Sequence, residues 1–363
     1  MKKSLLALAV LTAVSGAASA QSSVTLYGKV DLGMVYDSGT AGHSVRLASG
    51  VTGGSRIGFK GVEDLGGGTK FSFQLETGFC ADSASAQSTN VTNSGTVIGT
   101  TSAPNFCTGS NNFMGRQAHG DLTGSFGALS AGRQYSLGFN NLATIDPFGA
   151  GFAGQTNNTN NPNATHPSVY LMDPSGIRLN NSVTYSTPNI AGFTGSFETA
   201  FGEQPGNWQG GRETGAGLNF ASGPAYAGVT YYNQSNTAGN APSKKVLTFG
   251  GSYDLGIVKL HGMGQKVSGT AALDILSFMG GVTVPVAGGN LLASYIHHND
   301  RTNLNRDANQ LGIGYQYPLS KRTSLYTSYA RITNFNGGNL VVGNATETGT
   351  ADKAFNAGIV HNF

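Results

Sequence analysis

The chain predicts an all-β fold, a transmembrane antiparallel β-barrel of about 16 strands, and three observations carry the barrel. Apolar and polar residues alternate with period two in segments of about ten residues that recur to the last residue, Phe363. A removable export signal opens the chain. Beyond it no stretch of roughly twenty consecutive apolar residues occurs, so a membrane-spanning backbone must close its hydrogen bonds between strands.

Lys2 and Lys3 precede an apolar run from Leu5 to Val14 and the small-residue site Ala18-Ser19-Ala20. Residues 1–20 therefore read as a signal peptide and 21–363 as the barrel domain, because the run is too short to span and no stop-transfer pattern follows. Of 363 residues 55 are glycine, 11% are charged and 9% aromatic, which does not describe an enzyme built on helices. The net charge of +3 drops by two to +1 with the loss of Lys2 and Lys3, so it excludes neither anionic nor cationic solutes. Basic residues are dispersed along strands rather than gathered in a stripe, which leaves no nucleic-acid partner.

The first strand sets Val24, Leu26, Val30, Leu32 and Met34 against Thr25, Tyr27, Lys29 and Asp31, and the second sets Ile57 and Phe59 against Arg56, Gly58 and Lys60. From Thr69 to Phe79, Phe71, Phe73, Leu75, Thr77 and Phe79 oppose Lys70, Ser72, Gln74, Glu76 and Gly78. Parity fails between Phe113 and Tyr135, where an inward Arg116 sends Gln117, His119 and Asp121 outward; either a subunit interface covers them or a bulge resets the register. Alternation resumes with Phe193, Phe197 and Phe201, then with Leu247, Phe249 and Tyr253, with Leu276, Phe278 and Val282, and with Leu311, Ile313, Tyr315 and Tyr317. Short connections such as Glu63-Asp64-Leu65-Gly66 alternate with long polar ones, the asymmetry between periplasmic turns and external loops. The stretch 136–176 is too long for an ordinary connection. Cys80 and Cys107 enter an oxidising compartment, where a disulfide closing their Ser/Thr/Asn-rich excursion contributes roughly 3 to 4 kcal/mol; two free thiols are the alternative.

These residues resemble the general porins of Gram-negative outer membranes, of the β-proteobacterial type. The likeness rests on SSVTLYGKVDLG from Ser22, GSRIGFKGVEDLGGGTKFSFQLETGF from Gly54, GRQYS from Gly132, NSVTYSTPNIAGF from Asn181, LSKRTSLYTSYA from Leu319 and the terminal HNF. It implies a homotrimer of sixteen-stranded barrels set in outer-membrane lipid and lipopolysaccharide. Each barrel would have a pore narrowed by its infolded third loop and pass small hydrophilic solutes and ions by diffusion. It also implies that Phe363 is the signal read by the barrel-insertion machinery. One departure stands out: where the family runs Arg-Gln-Ala into a Tyr and apolar residues, this chain has Arg116-Gln117-Ala118-His119-Gly120-Asp121.

A diffusion channel makes no bonds; it acts through a radius and a field at its narrowest point. Parity points Lys29, Arg46, Arg56, Lys60 and Lys70 into the lumen from the first three strands and Arg178 from the sixth. Arg116 and Arg133 match family positions of the basic wall. For each arginine a rim or loop-tethering salt bridge is the plainer alternative. In 136–176 the resemblance places Asp146 at the constriction tip as acidic counterpart, with Asp173 a second, although Asp146 can instead cap a turn before Pro147. The balance is a weak anion preference that Asp31, Glu76 and Glu198 oppose.

Other signals carry no chemistry. Gly149 to Gly154 fits GxGxxG, but no strand leads into it and no helix follows, so no nucleotide cofactor is expected. His261, His297 and His298 have no partner at metal spacing, and no GxSxG elbow appears. The chain is expected to be no enzyme. Two alternatives remain: a plugged scaffold or adhesin, and a lipid hydrolase using an outward His361 or His119.

Overall fold

The computed structural model describes residues 23–39, 42–82, 113–158, 170–239, 241–270, 273–342 and 351–363; the expected signal peptide and Cys107 lie outside them. The first half of the chain forms β1 (Ser23–Gly39), β2 (Gly42–Ser49), β3 (Arg56–Gly66), β4 (Thr69–Gly78), β5 (Gln117–Gly124), β6 (Gly127–Tyr135), helix α1 (Leu137–Ile145), β7 (Arg178–Ser186) and β8 (Phe193–Ala200). Then follow β9 (Glu213–Ser222), β10 (Ala225–Ser235), β11 (Pro242–Asp254), β12 (Lys259–Gly269), β13 (Leu273–Val286), β14 (Gly289–Asp300), β15 (Ala308–Pro318), β16 (Thr323–Asn334) and β17 (Ala351–Asn362). All belong to one antiparallel sheet that closes where β1 pairs with β17, from Lys29 opposite Asn362 to Ser38 opposite Lys353. β2 and β3 pair with successive halves of β1, so together they make one stave, and the barrel has 16. At the seam Phe363 exchanges two backbone hydrogen bonds with Gly28, of 3.0 and 3.1 Å.

Alternation makes these strands two-faced. Leu26, Met34, Phe59, Phe71, Phe197, Phe249, Leu311 and Phe355 are exposed on the outer wall. Between them Asp31, Asp37, Glu76, Thr248, Gln310 and Asn356 are buried on the lumen side. Short turns join strands at one end: Ala287 and Gly288, at φ of 50° and 78°, link β13 to β14 in the two-residue form whose twist suits a hairpin.

The anomaly between Phe113 and Tyr135 resolves as a register effect. Gln117, His119 and Asp121 lie opposite Glu76, Gln74 and Ser72 and share their lumen face, while Ala118 and Leu122 oppose Leu75 and Phe71 on the outside. Arg116 precedes β5 in a bend, held by its N–H to the Glu76 carbonyl oxygen at 3.0 Å, so it too faces inward. His119, expected outward, is turned in beside Asp121 (2.9 Å).

The connection from β6 to β7 folds into the lumen. Ser136 staples its two ends: its Oγ accepts from Phe139 N–H (3.0 Å) and donates to the Gly176 carbonyl oxygen (2.6 Å). Leu142, Ile145, Ala153, Leu171 and Met172 of the loop pack on Met263, Met279, Ile296, Ala330 and Ile332 of the β12–β16 wall. That wall also supplies hydrogen bonds. Gln310 Nε2 donates to the carbonyls of Gly154 and Gln155 (2.9 and 3.0 Å), Gln265 exchanges bonds with the Asp173 backbone, and Ser328 Oγ accepts from Ala153 N–H. His261 and His298 reach the carbonyls of Ile145 and Leu171 at 2.7 and 3.1 Å. On the opposite side the loop tip meets the break between β2 and β3, where Phe152 N–H donates to the Val51 carbonyl oxygen (2.7 Å). Asp31 shapes that break by accepting from Thr52 N–H and Oγ1 (2.6 and 2.7 Å) and from the Tyr326 hydroxyl (2.7 Å).

Gly312 on the lumen face of β15 leaves the space for the tip: a Cβ there would lie 2.9 Å from Gly154 Cα and 3.1 Å from the Phe148 ring. Gly312→Val is therefore expected to unseat Phe148 and to cost roughly 1–3 kcal/mol through overpacking. The check is a lower urea midpoint together with noisier single-channel current; an unchanged midpoint would show that the loop does not depend on this seat.

Candidate functional site

With its apolar side against β12–β16, the loop leaves a water-accessible cleft on the side of β1–β7. The cleft is a cavity of about 310 Å³. Its wall carries Lys29 from β1, Arg56 from β3, Arg116 ahead of β5 and Arg178 at the start of β7, with Tyr135 between them. Register explains the grouping: Lys29 lies directly opposite Arg56, and Arg178 opposite Tyr135. Among the described residues the loop answers with Phe139, Asn140, Ala143, Gly151, Gln155 and Asn157, none of them charged.

Glu76 is the carboxylate built into this wall. It is buried, accepts from Arg116 Nε at 2.7 Å and from the Tyr27 hydroxyl at 3.0 Å, and lies 3.8 Å from Arg56 Nε. The Tyr135 hydroxyl accepts from Arg116 and Arg178, both at 2.9 Å, so the two guanidinia are held apart on one oxygen. Counting Asp31 below the cluster, four cations face two carboxylates, a formal excess of two positive charges.

The remaining predicted residues scatter. Arg46 is turned inward but lies 2.8 Å from Asp37, a neutral pair high on β1–β2. Lys60 sits toward the short-turn mouth, 5.4 Å over the Tyr27 ring, in a second cavity of about 270 Å³ that Asp121 also lines. Lys70 is exposed at the rim, opposite Asp64 and Thr123. Arg133 departs from the expectation: it lies opposite Ala118, hence on the outer face with Leu75, and donates to the Gly115 carbonyl (2.6 Å) and Asn180 Oδ1. The cause is unbroken alternation from Leu129 through Ala131 to Arg133 on the outer face, while the bulge that follows Gly132 turns Tyr135, but not Arg133, toward the lumen. Cys80 is buried just beyond β4, and its expected partner Cys107 lies outside the described residues.

Neither loop acid is a counterpart to the arginines. Asp146 is buried and accepts from the N–H groups of Phe148, Ala150 and Thr156 and from Thr156 Oγ1, at 2.8 to 3.1 Å, so it organises the loop tip from within. Burial pushes its carboxyl above the usual carboxylate range, against the pull of these donors. Asp173 pairs with Lys244 of β11 at 2.9 Å and anchors the returning strand of the loop to the far wall. Sequence reasoning also missed Tyr135 and the ladder of His261, Gln265, His298 and Gln310; an inward parity for long polar side chains opposite aromatics was the available signal.

Residues 7–337 match a family model described as Gram-negative porin. The chain is 34% identical over 380 residues to outer membrane porin protein 32 of Delftia acidovorans, covering all of both chains. It is 30% identical over 397 residues to an outer membrane porin protein of Bordetella pertussis, covering 91% of this chain and 94% of the other. Among solved structures, an anion-selective porin from Comamonas acidovorans superposes with a TM-score of 0.74 at 28% identity, over 94% of this chain and 100% of that one.

Glu76→Gln removes one of the two carboxylates while keeping an acceptor for Arg116. It is expected to shift the reversal potential in a KCl gradient further toward chloride and to destabilise the barrel by roughly 1–3 kcal/mol through the weakened buried charge pairing. A shift toward potassium would mean that permeating ions do not feel this wall.

Proposed function

The chain belongs to the Gram-negative porin family and is a non-enzymatic diffusion channel of the outer membrane, and from that premise we propose that its basic cleft makes it anion-preferring. The observation that carries the proposal is the one-sided field: Lys29, Arg56, Arg116 and Arg178 on the wall against an uncharged loop face. A unit charge on the order of 7 Å from a permeating ion, at an effective dielectric of 40–80, is worth roughly 0.6–1.2 kcal/mol, or about a three- to sevenfold bias per charge. Confinement keeps the ion within that range at the narrowest point. Arg46 with Asp37 and Lys244 with Asp173 are paired and contribute little. An anion-selective relative of the same fold supports the reading.

The same premise supports a homotrimer in outer-membrane lipid and lipopolysaccharide, a cleaved signal peptide over 1–20, and Phe363 as the feature engaged by the barrel-insertion machinery. The placement of Phe363 suits that last role, since it is the final link of the closing seam. A disulfide between Cys80 and Cys107 would tie the second external loop to the end of β4.

Arg56→Ala and Arg178→Ala are each expected to reduce the chloride-to-potassium permeability ratio by roughly three- to sevenfold, read from the reversal potential across a planar bilayer. If both leave the ratio unaltered, the charge reading fails. Non-reducing peptide mapping is expected to recover Cys80 and Cys107 in one linked species; recovery of both as free thiols rejects the staple.

A further inference from the structure

We infer that the basic cleft contains a subsite for small aromatic carboxylates, in which the ring of the anion lies against Phe139 while its carboxylate meets the guanidinium groups of the wall. The inference rests on the anion-preferring reading and adds selection by ring to selection by charge. Tyr135 is pinned through its hydroxyl by Arg116 and Arg178, and Arg178 also lies over its ring, 4.5 Å from the centroid. Phe139 stacks on Tyr135 with centroids 4.9 Å apart and planes 17° from parallel. The stack is therefore held rigidly from the wall side.

Phe139 is not spent on the core. In α1 the apolar packing under the loop is made by Leu142 and Ile145, whereas Phe139 is part-exposed and lines the cleft beside Asn140 and Ala143. Ala143 and Gly151 leave room next to it, and about 310 Å³ lies at the small end of the range for sites that hold a small molecule. An aliphatic carboxylate of equal charge and similar size gains the field of the wall and apolar contact with Phe139. A planar ring gains in addition an offset stack, which amounts to roughly a three- to tenfold longer stay. Such a gain is compatible with transport, because a solute must bind weakly enough to leave.

The experiment compares benzoate with cyclohexanecarboxylate, equal in charge and close in size but without a π face, as blockers of chloride current through the full-length channel in a planar bilayer. Benzoate is expected to halve the current at a concentration roughly three- to tenfold lower. Phe139→Leu is expected to bring the two half-blocking concentrations together, and Phe139→Tyr, which keeps the stack, to preserve their difference. Equal concentrations in the unaltered protein, or a difference that survives Phe139→Leu, overturn the subsite. The KCl reversal potential of the same channels reads the charge proposal separately: chloride preference with no benzoate advantage rejects the subsite alone, and absence of chloride preference rejects the charge reading and the subsite with it.

Discussion

A backbone polar group at membrane depth must find a partner inside the protein, and this molecule is arranged around that requirement. The staves meet it by pairing with each other all the way round the seam. The infolded loop cannot, because most of its amides have no neighbouring strand. Its carbonyls and N–H groups are received by side chains of the far wall, Gln265, Gln310, Ser328, His261 and His298, and by Val51 at the broken stave. The loop consequently leans on β12–β16, and the open passage lies off-centre against β1–β7.

That choice of side has an electrostatic consequence. Carboxylates that could have faced the passage are consumed in holding backbone. Asp146 gathers the loop tip, Asp31 shapes the stave break, and Glu198 accepts from Leu137 N–H at the start of α1 and from the Tyr232 hydroxyl. Glu76 remains at the wall, shared between Arg116, Arg56 and Tyr27. The cations are left in excess because the anions are needed for architecture, and the described loop residues turned toward them carry no charge.

Much of the fold was legible because strand periodicity is local: each segment of β1, β3, β4 and β17 declares its two faces within ten or so residues. Parity pointed Lys29, Arg56 and Arg178 inward for the same reason, and all three line the cleft. It failed at Arg116, whose bend lets it share the lumen with Gln117, whereas Arg133, assigned to the wall by family likeness and not by parity, lies outward by plain alternation from Leu129. Asp146 was left between constriction tip and turn cap for a different reason. A carboxylate before Pro147 looks alike whether it points at solvent or at its own loop, and only the donors at Phe148, Ala150 and Thr156 distinguish the two.

Alternation and the long connection at 136–176 were thus sufficient to specify a closed barrel with a segment too large to be a turn, since each is a property of neighbouring residues. Where that segment lies was settled by contacts between residues far apart in the chain, 116 for His261 with Ile145 and 156 for Gln310 with Gly154. Local sequence carries no record of such pairings, because they exist only once closure of the sheet brings the two walls to face each other.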